Sequence, residues 1–246
     1  MLHSILPYYL VIVFGFSIGI AHRAAALGHV SRQAIRQIDI LLGMLLAWTL
    51  ICAAMGLQGL HTSPRLQAAV PFLWQAVVPV SIEAASLLCS AGLRRALGAT
   101  AQATPLAWFV WLQALRIGAA GGVVKGLRGE ILSSYVLWVG IPDMVYGLSA
   151  SVLGILLMFR PLDRRAMLAW HLLGPAIILL PTFGASPFFM NENGFDFILA
   201  FPMVLAPGIV VPLLIFMNLL AAWKLWAARR PNARADATRT GRPDAA

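Results

Sequence analysis

Residues 38–57 read IDILLGMLLAWTLICAAMGL, twenty residues with a single charge, Asp39. As a helix at 1.5 Å per residue, such a segment covers about 30 Å, the hydrocarbon thickness of a bilayer. Six more apolar stretches flank it, at 6–21, 69–91, 105–124, 141–159, 166–184 and 197–226. The 246-residue chain is 60% hydrophobic and 11% charged, with a mean hydropathy of +0.83. Soluble domains carry about 25% charged residues, and no soluble core could absorb this much apolar surface. The reading is all-α: a polytopic membrane helix bundle of about seven transmembrane helices over residues 1–228. The basic tail, 229–246, is rich in Arg, Ala, Thr, Asp and Pro and is expected to be disordered.

The basic residues between these stretches predict orientation. Arg23, Arg32 and Arg36 follow the first span, Arg94 and Arg95 the third, and Arg160, Arg164 and Arg165 the fifth. The C-terminal segment adds Lys224, Arg229, Arg230, Arg234, Arg239 and Arg242. The alternate segments hold only Arg65, Lys125 and Arg128, so fourteen cations stand against three. That asymmetry predicts N-out and C-in. The first apolar stretch has no Lys or Arg before it, so it reads as a retained helix rather than a signal peptide. Residues 126–142, with Tyr135 and Trp138, read as an interfacial or re-entrant segment, or as one bent helix with the 141–159 span.

The formal charge of +9 has a membrane explanation. Arg marks cytoplasmic loops and anionic lipid surfaces, so the expected partners are the lipid bilayer and, at the cytoplasmic face, anionic headgroups. No aromatic-interleaved basic groove points to nucleic acid. Sixteen Arg against two Lys, with abundant Ala and Leu, suggest a GC-rich bacterial source and hence a bacterial cytoplasmic (inner) membrane. Cys52 and Cys89 make no disulfide framework and no metal motif; both read as small core residues. His-Glu-x-x-His, P-loop and Cys-x-x-Cys motifs are absent from the sequence. No metal, cofactor or catalytic residue is predicted, and an enzyme is the less favoured class. Of the histidines, only His171 lies in a predicted span, too few for bis-His haem. No Lys lies deep in the last span for a retinal Schiff base.

Ionisable groups inside a membrane are costly and are the default functional candidates. Glu83 lies nine residues before Gly92 and Arg116 eleven after Pro105, about 13 and 16 Å from the same surface at 1.5 Å per residue. Gln113 shares a helix face with Arg116. Glu83, Gln113 and Arg116 could therefore form a polar centre that handles a small molecule or an ion. Equally, Glu83 and Arg116 could be an ion pair pinning two helices. Asp143, after Pro142, could cap its helix. It could also join Tyr146, Lys125, Arg128 and Glu130 in an outward-facing ligand site of a sensor or interaction protein. Prolines at 175, 181, 202, 207 and 212 predict bent helices. Asn191, Glu192, Asn193 and Asp196 read as a solvated acidic loop.

From about Trp108 to Trp226 the chain resembles a group of uncharacterised bacterial multi-pass membrane proteins. The shared features are Gln113-Ala-Leu-Arg116, Gly140-Ile-Pro-Asp143, Gly147-Leu-Ser-Ala150, and a last helix with Pro202, Pro207, Pro212 and the polar Asn218. In similar proteins an acid often follows the Arg116 position closely, and His often stands at the Asn218 position. Here residues 117–124 hold no acid, which makes Glu83 the expected partner of Arg116. The resemblance implies no activity.

Overall fold

A computed structural model describes residues 5–70, 73–131, 133–184 and 196–228. The tail 229–246 and, of the expected acidic loop, Asn191, Glu192 and Asn193 lie outside them. Among the described residues the chain is helical throughout, without strands. The long elements are α1 (Leu6–Ala26), α2 (Arg32–Leu57), α3 (Trp74–Cys89), α4 (Ala91–Ala103), α5 (Leu106–Leu127), α6 (Val136–Phe159), α7 (Arg164–Gly184) and α8 (Ala206–Ala227). Six of these are long and apolar enough to cross a membrane, and α3 with α4 makes a seventh if that bent pair is one span. Exposed Val11, Leu50, Leu88, Phe159 and Leu180 give the bundle an apolar exterior that suits lipid and not water.

The expected third span is the element that departs most from the sequence reading. Where one helix over 69–91 was expected, the chain forms the 16-residue α3 and then turns through 106° at Ser90 into α4. At 1.5 Å per residue α3 covers about 24 Å, short of the hydrocarbon thickness. Ser90 makes the turn by capping α4, its hydroxyl accepting from the Leu93 N–H at 3.0 Å. The amphipathic α4 buries Leu93, Ala96, Leu97, Thr100 and Ala101 and leaves Arg94 and Arg95 exposed. It closes one end of the bundle against α1, α2 and α8. Cys89, expected in the core, is exposed instead, whereas Cys52 is buried. The inward stripe of α3 is Gln75, Pro79 and Glu83 at every fourth residue, and position 89 falls off it.

At the closed end, basic side chains satisfy carbonyls that helix termini leave open. Arg23 donates to the Ala103 carbonyl at 2.8 Å and Arg94 to that of Leu88 at 3.0 Å. Arg164 donates to the Leu225 and Ala228 carbonyls at 2.8 and 3.0 Å. Lys224 donates to the carbonyls of Gln102 and Thr104.

Helix α8 is the axis of the bundle. In its apolar window 67% is buried, against 33% or less for the other single spans. Both α6 and α8 open with a widened turn, Val136–Gly140 and Ala206–Val210. Each ends two residues before a proline, with Ile141 N–H bonded to the Val136 carbonyl and Val211 N–H to that of Ala206. Pro142 and Pro212 lack an N–H and would clash with the carbonyl four residues back, so the wider turn relieves both. The carbonyl freed by Pro212 belongs to Gly208, and the indole of Trp48 donates to it at 2.9 Å. Part of the segment read as interfacial, 136–140, is thus the first turn of α6.

Candidate functional site

Four helices bring polar side chains together in the middle of the bundle. Arg116 sits at the centre of α5, in a short 3-10 stretch, Ala114–Ala119. Its Nε lies 3.3 Å from the Asp143 carboxylate, and its Nη1 donates to the Gly174 carbonyl at 3.0 Å. The guanidinium stands 4.8 Å from the centre of the Tyr146 ring. Arg116 Nε and Asp143 Oδ1 lack hydrogen-bond alignment, so charge and proximity hold this pair together.

The network continues from Tyr146 into α8. The Tyr146 hydroxyl faces two acceptors at 3.1 Å, the Trp170 carbonyl and the Asn218 side-chain oxygen. That oxygen also accepts from His171 Nδ1 at 2.8 Å. Asn218 Nδ2 donates to the Gln113 side-chain oxygen at 2.9 Å, and Gln113 Nε2 donates to the Leu214 carbonyl at 3.3 Å. Trp170 stacks on Tyr146 with centroids 4.4 Å apart and donates to the Ser149 hydroxyl at 3.0 Å. Gln113, His171 and Asn218 are fully buried. The Asp143 side chain keeps 16% exposure and is the group nearest the surroundings.

The bond to Asn218 fixes the His171 tautomer. Nδ1 carries the proton, which leaves Nε2 a bare lone pair, buried and without a hydrogen-bond partner among the described residues. A buried acceptor without a donor costs about 1–3 kcal/mol, and packing alone gives no reason to keep one.

Glycines bring the helices close enough for these bonds. A Cβ on Gly174 would come 2.5 Å from both Asn218 Nδ2 and the Tyr146 hydroxyl. On α6, Gly147 lies against the backbone of Arg116 and Ile117, and a Cβ on Gly154 would meet the Trp111 ring at 2.7 Å. With the buried Ala150, these small residues let α6 approach α5 as close-packed membrane helices do.

The partner of Arg116 is Asp143, not Glu83 as expected. The turn at Ser90 directs α3 onto α2 and the first turn of α8, while α5 packs on α6. Glu83 is buried elsewhere, its Oε1 without a hydrogen-bond partner among the described residues. Of the polar centre foreseen in the sequence, Gln113 and Arg116 come together. Asp143 and Tyr146 join them, turned inward. Among the described residues no ion pair joins Asp143 to Lys125 or Arg128. Lys125 sits 4.6 Å from the centre of the Phe197 ring, and exposed Arg128 and Glu130 approach only to 3.9 Å. His171 and Asn218 were underused by the sequence reading. Their available signal was that one His and one Asn stand inside spans.

A second polar cluster lies beyond the other end of α2. His61 is buried, its Nε2 donating to the Cys52 carbonyl at 3.0 Å and its Nδ1 accepting from Gln75 Nε2 at 3.3 Å. Trp74 lies against it, 5.5 Å between ring centres. Burial pushes the His61 imidazole below its ordinary range, opposed by the bond to Cys52. Both ring nitrogens are occupied, so this cluster reads as structural. Among the described residues no group of three His, Cys, Asp or Glu could hold a metal ion. Comparison with protein-family models, curated proteins and solved structures returns no match.

Proposed function

We propose that the protein is a multi-pass, N-out/C-in protein of a bacterial cytoplasmic membrane that handles an ion, the proton, through Asp143, Arg116, Tyr146, Asn218 and His171. The observation that carries this reading is the linkage of two acid–base groups at different depths. Asp143 lies seven residues from the start of α6, and His171 seven from the start of the antiparallel α7. Each is therefore about 10 Å from opposite ends of the bundle, with Arg116, Tyr146 and Asn218 between them.

Chemically, a proton on Asp143 cancels its attraction for Arg116, which retains the Gly174 carbonyl and the Tyr146 face. A proton on His171 Nε2 makes a cation whose Nδ1–H still holds Asn218. The two protonations are coupled through Arg116 and Tyr146, because charges at such distances in low dielectric interact strongly. A purely structural core would be better served by apolar residues, since buried ion pairs often fail to recover their desolvation cost.

The test is proton flux in proteoliposomes loaded with a pH-sensitive dye, under a potassium diffusion potential. The wild type is expected to exceed protein-free liposomes, with Asp143→Asn and His171→Gln reduced to the protein-free rate. Wild-type flux no higher than in protein-free liposomes, or undiminished flux in both variants, refutes the reading.

A further inference from the structure

A cleft of about 380 Å³ opens at the closed end of the bundle, between the start of α2 and the start of α4. We infer that this cleft is a binding site for a phosphate oxyanion, with Arg95 as its cation. Its walls include His29, Ser31, Gln33, Gln37, Gly92 and Arg95, and no carboxylate lines it.

Of the basic residues at this end, Arg95 is the one that lines the cleft. Arg23, Arg94, Arg164 and Lys224 are committed to backbone carbonyls. Exposed Arg95 makes no hydrogen bond or ion pair among the described residues, so its five-donor fork is available to an oxyanion. The opposite wall also offers donors. The Gln37 side-chain oxygen faces the Ser90 hydroxyl at 3.5 Å, which leaves its NH2 group free for a ligand. Gly92 makes this arrangement possible, because a Cβ there would meet the Gln37 oxygen at 2.7 Å. A guanidinium, an amide NH2 and an imidazole, with no competing acid, select an anion rich in acceptors.

The volume exceeds that of one phosphate, and the cleft opens where the helices emerge from the apolar belt. Two sources share the chemistry: the phosphate of an anionic lipid headgroup and free inorganic phosphate. Basic pockets between helices at a membrane face suit the former.

The experiment measures thermal unfolding of the full chain in a neutral detergent. Dioleoyl phosphatidylglycerol, dioleoyl phosphatidylcholine or inorganic phosphate is titrated in. The variants are Arg95→Gln and, as a control for general surface charge, Arg165→Gln, an exposed site elsewhere at this end. Saturating ligand is expected to raise Tm by about 5 °C in the wild type and in Arg165→Gln, and to leave Arg95→Gln unmoved. A rise with phosphatidylglycerol alone identifies the lipid headgroup as the source, and one reproduced by inorganic phosphate identifies the free ion. No rise in the wild type, or an equal rise in Arg95→Gln, overturns the inference.

Discussion

The Arg116 guanidinium is paired with Asp143 at 3.3 Å, one group from the centre of α5 and the other from the first turns of α6. This contact joins two helices with the Arg116 side chain almost fully buried, so its two charges depend on each other. Removing one leaves the other uncompensated, which in buried pairs costs about 3–5 kcal/mol. Arg116→Ala and Asp143→Ala should each lower the yield and thermal stability of detergent-purified protein. The double change Arg116→Gln with Asp143→Asn should recover most of the loss. Glu83→Gln combined with Arg116→Gln should recover none of it.

Gly174 tests whether close approach holds the network together. Gly174→Ala places a methyl group 2.5 Å from both Asn218 and Tyr146. Overpacking of this kind costs about 1–3 kcal/mol. The control is Gly15→Ala, where a Cβ meets nothing within 4 Å. Thermal unfolding should show a clear fall for the first variant and little change for the second.

Trp48 completes the first turn of α8 by donating to the carbonyl that Pro212 leaves free. Trp48→Phe keeps an aromatic ring and strands that acceptor, at about 1–3 kcal/mol. Pro212→Ala restores a backbone donor for the same carbonyl. The Trp48→Phe loss should therefore be smaller in the Pro212→Ala background, as a double-mutant cycle would reveal.

His61 makes stability depend on pH. Its imidazole is held below the usual range in the folded protein, so the unfolded chain takes up a proton first as pH falls. The contribution of neutral His61 is fully present above the unfolded value, about 6.5, and declines below it. Unfolding temperature should drop between pH 7.5 and pH 5.5. His61→Gln, which cannot titrate, should show a smaller drop across that window.

Composition and the spacing of apolar runs were enough to read a helical, multi-span chain, because a bilayer demands long apolar helices whatever their partners. The runs at 38–57 and 141–159 lie within α2 and α6, and both polar ends of the motif Gln113-Ala-Leu-Arg116 reach the central network. The broken third span was not legible in the same way. Residues 69–91 are apolar enough for one helix, and the decision to turn belongs to Ser90 as a cap and to the surface that α1, α2 and α8 offer to α4. The partner of Arg116 was hidden for a related reason. Depth along a helix can be counted in residues, but which helices are neighbours depends on packing, and Gly147 and Gly154 bring α6, not α3, against α5. Legible without coordinates were the helical membrane class, most of the apolar spans and the identity of the rare buried charges, since these follow from the cost of polar groups in hydrocarbon. That Arg116 meets Asp143 and that Asn218 orients His171 emerges from helix packing alone, because hydrogen bonds and ion pairs act over a few ångströms between segments far apart in the chain.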